Sequence, residues 1–401
     1  MYELGPKKER NDHGAVALLV GLLVSTGFVI ALFVLVFDIA SVYAERRVVQ
    51  NASDISAIAL VQECAVDGKG AISGSIPAYS IPVCTNQTFA RDFATRSANL
   101  NSPDHLTSVS ELCGSLPLNP CADQQRGLFN CGIVDTSKYP RYLRIGADTN
   151  TPATTYLKPL FSSVLDPLIQ VDVVGCTNAA WGKAKQAPIF FPFAVPICGF
   201  PSSLPANMTL VDYSATVSCT ITDLEGVTFS YQGVPNGLFV LTDYVDKAGV
   251  QQSFGCPNSS QSVKLSVADT IYFQSSLRQV ELKCGNGSQF SDTIKSYLGQ
   301  SVFLPVITTI TCSSSTQNCA NFYSKVATFV SFKFLGAIFK GDTANAMGTA
   351  PSGGWPTDCT KTAKIQVCLN GTYVKSIVPG VDISTDKNFP AIGAQAVQVL
   401  P

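Results

Sequence analysis

Ala15 to Phe37 is an apolar run that contains no charged residue. At about 1.5 Å of rise per residue, a helix over this run reaches roughly 35 Å, enough to cross a hydrocarbon layer of about 30 Å with some tilt. Beyond it the pattern changes. Ile39, Val42, Val49, Ala52, Ile55 and Ala59 recur at steps of three, four or seven, with Glu45, Arg46, Gln50 and Asp54 between them. That rhythm predicts an amphipathic helix, and no Gly or Pro interrupts Phe28 to Val66. The expectation is one long helix. Residues 15–37 lie in lipid, and residues 38–63 form a stalk whose stripe needs a partner, either the protein's own outer domain or another subunit.

After the stalk the pattern is mixed up to residue 200. Residues 85–99, TNQTFARDFATRSAN, predict a short helix, and 113–140 is too punctuated by Pro and Cys for a long regular element. From 201 onward the chain reads as β. TLVDYSATVSCTIT (209–222) alternates with a period of two, VKLSV (263–267) continues the theme, and VATFVSFKFLGAIF (326–339) is apolar on both faces, as a central strand would be. Asn370-Gly371 between two alternating runs predicts a hairpin turn. The tail after Pro379 is expected to be an edge strand or loose. The fold class expected is α+β, with a tail (1–14), a membrane helix (15–37), a stalk (38–63), a mixed α/β part (64–200) and an antiparallel, sandwich-like β domain (201–401).

Composition narrows the function. Lys and Arg number 27 against 28 Asp and Glu in 401 residues, so no basic field exists to gather nucleic acid. All fourteen cysteines follow the apolar run, none in a CxxC spacing, and only two histidines accompany them. This argues against zinc and haem motifs and for disulfides made in an oxidising compartment. Cys312 with Cys319 and Cys359 with Cys368 are near enough in sequence to close locally. The cysteines place the bulk outside a plasma membrane crossed once, with the N-terminal tail in the cytoplasm; the lysines and arginines flanking the span agree only narrowly. A signal peptide cut before Glu45 is the rival, but the apolar run exceeds the usual 7–15 residues of a signal core.

Within the span, Ala17, Gly21 and Ser25 share a face at four-residue spacing, which lets two helix backbones approach closely. Asp38 stands at the outer boundary, where a carboxylate reaches water. Candidate catalysis is sparse. His105 with Asp104 reads as a solvated turn, and Asp223 with Glu225 or Asp243 with Asp246 read as surface charge near strand ends rather than a hydrolase pair. No nucleotide loop or nucleophile elbow is present, so neither enzyme activity nor a cofactor is expected.

The segment GAVALLVGLLV...FDIASVYAERRVVQNASDISAIAL resembles the N-terminus of the TadE/TadG-like proteins of Flp (Tad) pilus assembly. The positions that carry the likeness are Gly14 to Ala17, Asp38, Tyr43, Arg46 (or Arg47), Gln50, Asn51, Ala52 and Asp54. Six further blocks, YLRIGADTNTP, AAWGKA, FPFAVPIC, SVFLPV, SKVATFVSFKFLGAIFKG and CLNGTYVKSIV, look like the long TadG-like members in the same order. Leu19 stands where polymerising pilins usually carry Glu, and Ile55, Ser56 and Ile58 replace the family's usual alanines. The resemblance implies a minor-pilin-like or accessory envelope protein whose partners are the bilayer and other pilus-assembly or pilin proteins. A homo-oligomer through the N-terminal helix belongs to the same expectation.

Overall fold

α1 (His13–Val66) is continuous over 54 residues, about 80 Å at 1.5 Å per residue. The computed structural model describes residues 13–67, 81–103, 105–115, 117–121, 131–149, 173–199, 207–211, 216–223, 227–235, 238–245, 249–253, 262–274, 292, 294–312, 321–339, 346–355, 359, 367–390 and 392–400. α2 (Gln87–Asn101) follows, started by Asn86, whose side chain accepts from the backbone N–H groups of Thr88 (2.8 Å) and Phe89 (3.3 Å). Its buried residues, Ala90, Phe93, Ala94, Ser97 and Ala98, keep the helical spacing of one face.

The strands are β1 (Thr107–Gly114), β2 (Tyr142–Thr149), β3 (Val174–Lys183), β4 (Gln186–Ile189), β5 (Phe193–Pro196), β6 (Asn207–Val211), β7 (Thr216–Thr222), β8 (Thr228–Pro235) and β9 (Phe239–Val245). They continue with β10 (Gln251–Ser253), β11 (Val263–Ser266), β12 (Thr270–Gln274), β13 (Ser301–Ile307), β14 (Thr311–Cys312), β15 (Asn321–Phe339), β16 (Met347–Gly348), β17 (Val367–Val374) and β18 (Gln395–Leu400). A four-stranded antiparallel sheet runs in the order β1-β2-β3-β18. A ten-stranded sheet is built around β15, and β4–β11 and β7–β8 form two small ribbons.

The outer half of α1 and α2 cover one face of the four-stranded sheet. Leu60, Val61, Phe93, Leu112, Leu143, Ile145 and Trp181 meet there in one buried cluster. The stalk of the sequence reading is thus the core helix of a domain, and its partner is the protein's own sheet. Its inward face is Val49, Ala52, Ser53, Ser56, Ala57, Leu60, Val61, Cys64 and Ala65, whereas Ile39 and Ile55 from the expected stripe are exposed. The other face of the small sheet, through Ala180, Ala396 and Leu400, joins a second cluster with Phe273, Val326 and Phe329 of the large sheet.

β15 fulfils the expectation of a central strand. Val330, Phe332 and Phe334 belong to a third cluster with Phe191, Phe193, Leu304 and Tyr373, while Val326 and Phe329 point into the second. A bulge opposite Val306 and Ile307 shifts the alternation between these two sets.

Four expectations need correction. Asn370-Gly371 is not a turn but lies inside β17, paired to β15 and β6. Gly371 is required because the ring of Phe332 and the carbonyl of Lys333 occupy the space of a Cβ, and Asn370 is buried, donating to the Thr349 carbonyl at 2.9 Å. The alternating run 209–222 is two strands in different sheets, β6 and β7, because period two reports a face and not a partner. The boundary at 200 is crossed both ways: β5 joins the large sheet, and β18, the tail, closes the small sheet as its edge strand. Finally, the large sheet is not wholly antiparallel, since β5 pairs β13 in parallel.

Tyr373 supplies a test of the third cluster. Burial drives its phenol well above the usual tyrosine range, and Tyr231, half-buried near Asp223, is pushed up to about 12, chiefly by desolvation. An unfolded tyrosine ionises near 10. Below that pH both states are protonated and the full stability is present; above it the unfolded chain loses protons that the folded chain keeps, so stability falls as pH rises. Thermal midpoints at pH 9 and 11 should show a larger drop for the native protein than for Tyr373→Phe.

Candidate functional site

The site that the long helix builds is its own dock on the sheet. Gln50, half-buried, donates through Nε2 to the Cys176 carbonyl (3.0 Å), to Thr177 Oγ1 (3.2 Å) and to Asp54 Oδ1 (2.8 Å), and its Oε1 accepts from the Cys176 N–H (3.1 Å). Thr177 Oγ1 donates to Asp54 Oδ1 at 2.5 Å. One turn further in, the buried Ser53 hydroxyl donates to the Ile145 carbonyl at 2.9 Å, and nearer the apolar half Thr149 donates to Glu45 Oε1 at 2.8 Å. These bonds run along β2 and β3 and fix both the height and the rotation of the helix. Gly175 lets the backbones touch: a Cβ there would sit 2.7 Å from the Val49 carbonyl oxygen and 2.8 Å from Gln50 Cα and N.

Disulfides brace this arrangement. Cys64–Cys84 ties the end of α1 to the start of α2, Cys113–Cys121 closes the end of β1, and Cys131–Cys176 joins the loop before β2 to the strand that Gln50 grips. Cys359–Cys368 forms as the spacing suggested, and Cys198–Cys219 anchors β7. Cys312 ends β14, but Cys319 lies outside the described residues, so that pairing is not observed. The Arg144 guanidinium, buried beside the dock, donates to Asn178 Oδ1 (3.0 Å) and to the Gly132 carbonyl (2.9 Å).

The residues singled out from sequence fall into two groups. Gln50 and Asp54 meet in the dock. Gly14 lies in the first turn of α1, and Ala17, Gly21 and Ser25 are exposed on it, the Ser25 hydroxyl donating to its own helix at Leu22. Tyr43 and Asn51 are exposed and Arg46 is half-buried. Asp38 corrects its expectation: it is only 7 % exposed, while the described large apolar side chains from Val16 to Phe37 are 47–72 % exposed. The boundary carboxylate is therefore enclosed by protein rather than solvated.

Of the acidic pairs, Glu225 and Asp246 lie outside the described residues, as does Asp104. Asp223 accepts from the Val227 N–H, and His105 Nδ1 is 2.6 Å from the Asn99 carbonyl. Among the described residues no group of three His, Cys, Asp or Glu side chains is placed to hold a metal. Ser53, Thr149, Gly175 and Thr177 were not legible as site residues. Small or hydroxylic, they break no hydrophobic pattern. Gln50→Ala should cost about 1–2 kcal/mol, since it leaves the Cys176 backbone groups partly unpaired, and chemical denaturation of the full chain in detergent measures it.

Comparison with protein-family models, with curated proteins and with solved structures returns no match for this chain.

Proposed function

We propose that the chain is a membrane-anchored structural component of the cell envelope, minor-pilin-like, acting in Flp/Tad pilus assembly or presentation. The carrying observation is that α1 passes without a break from an apolar half, long enough to cross a membrane and 0 % buried, into a half locked onto a disulfide-bonded sheet. A simple tether needs no such continuity. A rigid rod shared by membrane and head transmits position, which is what a subunit of an assembly requires.

The resemblance in Gly14 to Asp54 supports the same reading, because Gln50 and Asp54, two of its positions, hold the helix to the sheet. The bare face of Ala17, Gly21 and Ser25 is then the surface offered to neighbouring helices in the bilayer.

The test is a clean deletion in the native host combined with thiol labelling of intact cells. Loss of piliation, co-purification with pilus proteins and a head reached only by extracellular reagents support the proposal. Normal pili remove the pilus role, and a head reached only from the cytoplasmic side removes the topology. Intact mass adds the processing: a start at Met1, Ala15 or Glu45 distinguishes whole anchor, processed pilin and released protein.

A further inference from the structure

Past Phe37 the outward side of α1 stays free of charge for two further turns. Ile39, Ala40, Ser41, Tyr43 and Ala44 are exposed, Ile39 to 48 % and Tyr43 to 61 %, and the Ser41 hydroxyl donates back to the Asp38 carbonyl at 2.8 Å. From Val16 onward, the first exposed charged side chain among the described residues is that of Arg47. At about 1.5 Å per residue, Val16 to Ala44 therefore offers roughly 43 Å of helix with no outward charge. A hydrocarbon layer takes only about 30 Å of that length, whereas a bilayer with both headgroup layers takes about 40–45 Å.

The acidic groups of this stretch are turned toward the head. Asp38 is enclosed by protein, and Glu45 Oε1 accepts from Thr149 at 2.8 Å. Asp148, at the same end of the sheet, accepts from the Ser108 hydroxyl at 2.5 Å. Arg46 is half-buried, whereas Arg47 is exposed and has no carboxylate partner among the described residues. Asp38, Glu45, Arg46 and Arg47 cancel as a sequence, yet the side of the helix turned away from the head is cationic.

The head leaves no gap above the apolar run. Val42 packs with Val49, Ala147 and Val173, and Asp38, the residue that follows Phe37, is already enclosed. A lone helix surface does not bury a carboxylate in this way, so protein other than α1 begins at the level where the apolar run ends. Long side chains on a helix lean toward its N-terminus, and the arginine stem lets its head group reach further back. Arg47 thereby serves the same layer as Tyr43, one turn before it. An aromatic ring with a polar tip suits that interface, and a guanidinium suits its phosphates.

We propose that residues 38–47 occupy the phospholipid headgroup layer on the head's side of the bilayer, with the Tyr43 ring at the interface and the Arg47 guanidinium on a lipid phosphate. The head then rests on the membrane surface instead of standing above it. This inference rests on the reading of α1 as a membrane span and sets the depth of that span.

The experiment reconstitutes the full chain into phosphatidylcholine vesicles that carry a nitroxide either on the headgroup or near the end of the acyl chain. Tyr43→Trp and Phe28→Trp are each compared with the native protein, whose Trp181 and Trp355 give the baseline. Both positions are exposed, so the variants should keep the native thermal midpoint. The added fluorescence at 43 should be quenched at least about twofold more strongly by the headgroup label than by the chain label, and that at 28 the other way round. In the Tyr43→Trp chain, Arg47→Glu should lower the headgroup quenching about twofold, while Arg47→Lys should keep it. Quenching at 28 with none at 43 leaves the span standing and overturns the seating of the head. Quenching at 43 chiefly by the chain label places Tyr43 in hydrocarbon and overturns it as well, and no quenching at either position removes the span and the seating together. An Arg47→Glu chain quenched like its parent overturns the phosphate contact.

Discussion

Gly175→Val is expected to unseat α1 from its sheet. At this position strand and helix backbones meet, and the first carbon of any side chain would lie 2.7–2.8 Å from Val49 O and from Gln50 N and Cα. Those are backbone atoms that cannot swing aside, so the helix must move, carrying with it the bonds of Gln50 to Cys176 and Thr177. Overpacking costs typically 1–3 kcal/mol; with the lost hydrogen bonds added, about 3 kcal/mol or more is expected. The thermal midpoint of the full chain in detergent reports the loss. Trypsin reports its location, because Arg46 and Arg47 on the loosened helix should be cut faster than in the native protein. An unchanged midpoint and digestion pattern would show that the helix does not rest on β3.

Leu60→Ala is expected to cost about 2–5 kcal/mol, the range for a leucine removed from a packed interior. Leu60 is fully buried, in a cluster with Phe93, Leu112, Leu143 and Trp181, all 5 % exposed or less. Large neighbours drawn from α2, β1, β2 and β3 cannot all collapse into one cavity, which puts the expectation in the upper part of the range. Denaturant unfolding should show a lower midpoint with unchanged slope. A loss below about 1 kcal/mol, the size expected of a surface change, would mean that the outer half of α1 is not part of the core.

Legibility followed the range of the interactions. The apolar half of α1 was readable because a run of apolar residues is its own signal, and β15 because a strand buried on both faces has no polar side. α2 was readable as a short helix over 85–99, and the structure adds its Asn86 cap. The dock was hidden, because it uses Ser53, Gln50 and Asp54, positions that hydrophobicity marks as outward. Their partners, Ile145, Cys176 and Thr177, lie far along the chain. Gly371 misled for a related reason: a glycine needed for close approach to Phe332 has the same letter as one needed for a turn.

The placement of β18 sets the order in which the molecule can be made. The strand that completes the sheet beneath α1 comes from the opposite end of the sequence. α1 can pack on α2, β2 and β3 before β18 is available, and β18 then adds its cover to the same helix. Truncation of residues 395–400 should therefore leave α1 seated on α2, β2 and β3 but bare the edge of β3, and limited proteolysis should cut the truncated chain faster than the native one.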